Sequence, residues 1–190
     1  GLYNSLSRPL EALDIFKTCY DIRKSSLGEG HELTVGTRVN IASALSDALR
    51  DKEAIVIYEE MLALIESGMG ENHPHLIGVL INAAASYRGI DDNSRALSSV
   101  QRAVDVSTRQ LGESHAMALT ALNALGATHM ALQEWEKAEE VLEKGLALCA
   151  KGLDECNQTY MSILSNLGNC KRMCLKYQES LPLGQKACDL

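Results

Sequence analysis

The chain is poor in the residues that stiffen a backbone or build sheets. Its 190 residues include three prolines, one Trp, one Phe and six Tyr. Ala, Leu and Glu are plentiful instead, a balance that favours helix over strand. No apolar run approaches the roughly 18 residues that a membrane-spanning helix needs. No basic segment followed by an apolar one opens the chain, so nothing reads as a secretory leader. A soluble chain without membrane insertion is expected. Positive charge is also short. The net charge of −7 argues against nucleic acid as a partner, since such binding normally uses a basic face.

Signatures of catalysis are missing too. There is no G-x-S-x-G, no phosphate-cradling Walker loop and no Cys–His nucleophile arrangement. His31-Glu32 lacks the following x-x-His of a zinc protease. Gly68-Met69-Gly70 lacks the rest of a dinucleotide-binding glycine pattern and follows a helix, so it reads as a turn. Six cysteines are present (Cys19, Cys149, Cys156, Cys170, Cys174, Cys188), but none forms a C-x-x-C pair. Cys170 and Cys174, four apart, would offer two zinc ligands where a full site wants four. They read as buried or half-buried free thiols, which points to a reducing, cytoplasmic compartment. The sequence predicts no enzyme, no metal and no cofactor.

What is present is a repeat. Leu27-Gly28-Glu29-Gly30-His31, Met69-Gly70-Glu71-Asn72-His73 and Leu111-Gly112-Glu113-Ser114-His115 are near copies, and Leu153-Asp154-Glu155-Cys156-Asn157 is a worn fourth. Each start follows the last by 42 residues. Such a period is the mark of a solenoid, in which each unit buries its apolar faces against its neighbours. The organisation expected is one solenoid over 1–190. It comprises a second helix at 9–26, repeats at 27–68, 69–110 and 111–152, and a truncated repeat at 153–190. Because the chain begins inside a repeat, it reads as part of a longer solenoid or one whose ends are covered.

Within each repeat the spacing predicts a first helix from about the sixth to the twenty-second position. Its apolar stripe in the third copy is Leu119, Leu122, Leu125, Gly126 and His129. A second helix starts near the twenty-fifth position, with Trp135, Ala138, Val141, Leu142, Gly145 and Leu146 in that copy. Two or three residues between them force an antiparallel hairpin. The sixteenth position is small throughout (Ala42, Ala84, Gly126, Gly168), as is the twenty-eighth (Ala54, Ala96, Ala138, Ser180, with Ala12 one period earlier). Small residues at matched points let helix backbones approach closely. The recurring His31, His73 and His115 could share an ion only with unusual reach and read as residues that cap each first helix or pack on the preceding turn. The acids Glu134, Glu136, Glu139, Glu140 and Glu143 read as a solvated outer face.

The paired small positions resemble the tetratricopeptide repeat, in which a Gly or Ala on the first helix packs near an Ala on the second. The 42-residue form, with a Leu-Gly-x-x-His-Pro opening and a Leu-Asn-Asn-Leu-Ala core, is similar to the repeats of kinesin light chains. The opening is closest in Met69-Gly70-Glu71-Asn72-His73-Pro74. The core is closest in Leu122-Asn123-Ala124-Leu125-Gly126 and Leu164-Ser165-Asn166-Leu167-Gly168. Arg38 replaces the expected Leu, and Gly89-Ile90-Asp91-Asp92-Asn93 departs from the usual turn, which marks a divergent relative. The resemblance implies an all-α, right-handed α-solenoid of about nine helices, whose first helices line a concave groove.

That resemblance also implies a function: an adaptor-like scaffold that binds a protein or peptide in its groove. Outward positions of the first helices are small and polar. Asn40, Asn82 and Asn166 hold the fourteenth position, where an Asn in such grooves contacts the ligand main chain or shapes the superhelix. Asn123 and Asn169 stand nearby, and Arg88 and Arg172 would pair with acidic groups. A mildly acidic, extended peptide is therefore the expected ligand. The alternatives are a structural or self-associating segment joined through exposed solenoid ends, and the sensor arm of a larger switch protein.

Overall fold

The computed structural model describes residues 9–70, 73–152, 158–174 and 182–183. Among them are eight α-helices and no strand. They are α1 (Pro9–Leu27), α2 (Glu32–Asp47), α3 (Asp51–Met69), α4 (His75–Gly89), α5 (Asn93–Leu111), α6 (Ala116–Ala131), α7 (Trp135–Gly152) and α8 (Gln158–Met173). Of the expected ninth helix only Pro182 and Leu183 are described, both helical; Ser180 and Cys188 lie outside the described residues. So do Glu71 and Asn72 of the second opening and the worn fourth, Leu153 to Asn157.

Each helix starts and stops for a local reason. The imidazole Nδ1 of His31 accepts from the Leu33 N–H at 3.2 Å, that of His73 from His75 at 3.3 Å, and that of His115 from Met117 at 3.1 Å. His31 and His115 are thus the N-caps of α2 and α6, and His73, one residue before the Pro74 cap of α4, likewise satisfies a donor that the first turn leaves free. Each first helix whose following turn is described ends in the same left-handed residue: Leu49, Asp91 and Gln133, with φ of 59°, 61° and 59°. The next amide reaches back five residues in each case: Arg50 to Leu45, Asp92 to Tyr87 and Glu134 to His129, all at 2.9 Å. This is the Schellman closure. The divergent Gly89–Asn93 sequence thus makes the same turn as the others.

Contacts group the chain into two compact units, Gly1–Asp92 and Asn93–Leu190. In the first, α1 packs on α2, α2 on α3 and α3 on α4, with α2 also touching α4. In the second, α5 packs on α6, α6 on α7 and α7 on α8, with α6 against α8. Ala12, Ala42, Ala54, Ala84, Ala96 and Ala138 are all buried, as the pattern of small positions requires. A Cβ added to Gly126 would lie 2.6 Å from Cγ and Cδ2 of the buried Leu142, so that crossing of α6 and α7 needs a glycine. The core of the second unit gathers Leu119, Leu122, Leu142, Ile163, Leu164 and Leu167. Tyr58, Met61, Ile65 and Leu76 fill the first.

Arg38 has a use in place of the expected Leu. Its guanidinium lies between Glu29 and Glu60 and 5.8 Å from the centre of the Tyr20 ring. An ionic and cation–π cluster joins α1, α2 and α3 where an aliphatic contact was expected.

Candidate functional site

The side-by-side contact of α2 and α4 leaves a cleft of about 420 Å³ on the first-helix face. That is within the ~300–1,000 Å³ common for ligand clefts. Its walls are largely apolar (Leu33, Val35, Val39, Val79), and Gly36 and Gly78 form part of its surface. A Cβ on either glycine would meet nothing within 4 Å. Neither glycine is therefore required by packing, and each opens the cleft by the volume of a side chain.

The structure brings two of the expected site residues together here. Asn40 and Asn82 both line the cleft, Asn40 exposed and Asn82 half-buried. Their carboxamides carry no hydrogen bond to any described residue, so donors and acceptor alike face outward. Arg88 is not among the lining residues. It is half-buried further along α4, burial lowers its pKa, and it already has a partner. In the second unit Asn166 Nδ2 donates to Asn123 Oδ1 at 2.9 Å, and Thr120 and Thr159 hydroxyls meet at 3.3 Å. These two pairs bridge α6 and α8, so there the asparagines join neighbouring helices. Asn169 and Arg172 are exposed on α8.

Sequence reading missed three groups. Arg23, from α1, reaches the cleft and donates through Nη1 to the Leu33 carbonyl at 3.1 Å and to Thr37 Oγ1 at 2.5 Å. Glu32 and His75 face each other at the same cleft, 3.2 Å between Oε1 and Nε2. The third is Lys171, whose Nζ lies 2.9 Å from both Glu139 and Glu143. This corrects the reading of a solvated face at Glu139, which is only 8% exposed, while Glu136, Glu140 and Glu143 are exposed as expected. Glu134, half-buried, lies 2.7 Å from Nδ1 of the buried His129. Hydrogen bonds from Lys137 and His129 lower its pKa. No spacing rule signals these pairs, which link residues on different helices or across a turn.

Among the described residues, no group of three or more His, Cys, Asp or Glu could hold a metal ion. The Cys170 thiol is buried and lies 3.0 Å from the Trp135 carbonyl, to which it donates. Burial, with smaller contributions from Cys174 and Glu139, pushes its pKa to about 11. Cys19, Cys149, Cys170 and Cys174 are all free thiols. No described helix is long and apolar enough to cross a membrane.

Two family models, both for the tetratricopeptide repeat, match residues 34–75 and 75–151. Together they span more than half of the chain. No curated protein sequence matches it. Among solved structures, BtubC (BKLC) from P. vanneervenii is 19% identical with a TM-score of 0.81, covering 99% of this chain and 75% of that one. The nearly identical TPR-like repeats assigned to a kinesin light chain of Podosopora anserina are 19% identical with a TM-score of 0.76, over 98% of this chain and 89% of that one. The MamA protein is 16% identical with a TM-score of 0.58, over 94% and 91%. At such identities the likeness is one of fold, an all-α solenoid of stacked helix pairs.

Proposed function

Because this chain belongs to the tetratricopeptide repeat family, whose repeats are protein-interaction scaffolds, we propose that it acts by binding rather than catalysis. Its first-helix face takes an extended, mildly acidic peptide from a protein partner. The observation that carries the reading is the α2–α4 cleft, where two carboxamides with no hydrogen bond to any described residue stand beside two helical glycines with open Cβ positions. A mid-helix glycine costs about 1 kcal/mol relative to alanine. Two of them with no internal purpose suit close approach by another backbone. Asn40 and Asn82 would each donate to and accept from that main chain. Helices in contact lie roughly 8–10 Å apart, so the two asparagines would address peptide groups about three residues apart on an extended strand. On the second unit, taken by itself, the exposed Asn169 and Arg172 of α8 would offer polar groups to a peptide beside the Asn123–Asn166 pair. Arg88 would act at its margin. Free thiols fit a reducing, cytoplasmic setting.

The test is to select binders from a phage-displayed library of random peptides. The affinity of a selected peptide is then measured by calorimetry against wild type and the Asn40→Ala/Asn82→Ala variant. A loss of about tenfold or more, roughly 1.4 kcal/mol, is expected with the helical circular-dichroism spectrum intact. Equal affinity for the two proteins removes the cleft from the binding surface.

A further inference from the structure

The cleft holds one cation and one carboxylate, and their situations differ. The carboxylate of Glu32 already faces His75 Nε2 at 3.2 Å. Arg23 faces no acid: its hydrogen bonds go to a backbone carbonyl and a hydroxyl, and no described carboxylate pairs with it. Its position is nonetheless fixed. Thr37 Oγ1, which accepts from Arg23, also donates to the same Leu33 carbonyl at 2.7 Å. One guanidinium nitrogen is thereby pinned to the first turns of α2, and the remaining donors have no counter-ion among the described residues. A guanidinium held in place beside an apolar cleft, with its charge unmatched, is the arrangement that recognises a carboxylate by charge-assisted hydrogen bonds.

We propose that Arg23 is the residue that reads an acidic side chain of the bound peptide, an Asp or Glu placed at the α1 end of the α2–α4 cleft. This rests on the reading of the cleft as a peptide groove and assigns the charge preference to a residue of a second helix. The occupant has small or aliphatic residues against Leu33, Val39 and Val79, and one acid at the Arg23 end. A side-chain carboxylate is assigned rather than a chain end because Asn40 and Asn82 both need peptide groups, which places a continuing main chain along the cleft. Arg88 and Arg172, the cations that the sequence offers for this task, line no part of it.

The test uses an array of short peptides, acetylated and amidated so that their ends carry no charge. Each has a Gly, Ala, Val and Leu background with Glu at one position, beside a twin with Gln there. Wild type is expected to bind at least one Glu peptide about tenfold more tightly than its Gln twin. Arg23→Gln brings that ratio to about one, and Arg23→Glu inverts it, so that Lys twins bind better than Glu peptides. Inversion cannot arise from loosening α1, and thermal melts of both variants show whether the fold is kept. An unchanged Glu-to-Gln ratio in both variants overturns the assignment while leaving the groove in place. So does a ratio abolished by Arg88→Gln or Arg172→Gln but not by Arg23→Gln. A twin whose only carboxylate is a free C-terminus, if it binds as well as the Glu peptide, overturns the side-chain assignment. Peptide binding unaffected by Asn40→Ala/Asn82→Ala overturns the groove itself. If no peptide binds, both fall.

Discussion

Glycines occupy helices of this chain for two opposite reasons, and alanine separates them. At Gly126 a methyl group would press into the side chain of Leu142, which is 1% exposed. Overpacking of that kind costs about 1–3 kcal/mol, offsetting or exceeding the ~1 kcal/mol of helix propensity gained. At Gly36 and Gly78 nothing opposes the methyl, so only the propensity gain remains. Gly36→Ala and Gly78→Ala are each expected to stabilise the protein by about 0.5–1 kcal/mol in urea unfolding. Each should also weaken peptide binding, because the added carbon enters the cleft. A variant that gains stability and loses no affinity would show that the space serves no ligand. The thiols give a second contrast at this scale. Burial raises the pKa of Cys149 and takes that of Cys170 to about 11, so the ionised form of each is incompatible with its site. For a group raised in the folded state, the stabilising contribution is whole below the unfolded thiol's pKa of about 8.5. It fades as pH rises toward the folded value. The stability gap between wild type and Cys170→Ala should therefore be constant up to about pH 8.5 and narrow above it, as followed by denaturant titration at stepped pH.

At the level of elements, the sequence was most readable where one residue acts on its own neighbours. Second helices expected from the twenty-fifth position begin at Asp51, Asn93 and Trp135, because a hairpin of fixed length leaves little freedom in where the next turn starts. The histidine caps were legible for the same reason: a cap needs only a residue and the amide two places on. Arg23, Lys171 and Glu139 were not, since their roles come from helices joined by packing. Lys171 meets acids 32 and 28 residues away, a separation that no helical periodicity marks. The left-handed turns were hidden differently, because Leu49 is a residue that ordinarily avoids φ > 0. It is 89% exposed, so it gains almost nothing by burial to offset the strain. A left-handed L-residue costs roughly 1–2 kcal/mol, and glycine gives back about 0.5–1 kcal/mol of that through its freer unfolded chain. Leu49→Gly is accordingly expected to stabilise the protein by about 0.5–1 kcal/mol. Asp91→Gly should gain less, since Asp tolerates this conformation better. Thermal unfolding of the two variants side by side checks the ordering, and a destabilised Leu49→Gly would contradict it.

Over the whole chain, the construction from repeats determines how far a local defect travels. A repeat array has no single centre, so its stability is close to a sum of unit and nearest-neighbour terms. The ion cluster between α7 and α8 allows this to be measured. Lys171 Nζ is held by Glu139, with side chains 9% and 11% exposed, while Glu143 is 53% exposed. Surface pairing with Glu143 is worth little; what matters is Glu139, a carboxylate with little access to water. Lys171→Met removes its cation and leaves that charge buried, a change that costs about 3–5 kcal/mol in comparable sites. Lys171→Met/Glu139→Leu removes both charges and should recover most of the loss, because an apolar pair of similar volume commonly matches a buried ion pair. Native-state hydrogen exchange then reads the reach of the defect. In Lys171→Met, protection should fall most in α7 and α8, less in α6 that packs on both, and least in α1 to α4. A uniform fall along the chain would mean that the array unfolds as one cooperative block. The graded fall follows from a chain whose helices are each stabilised chiefly by the pair beside them.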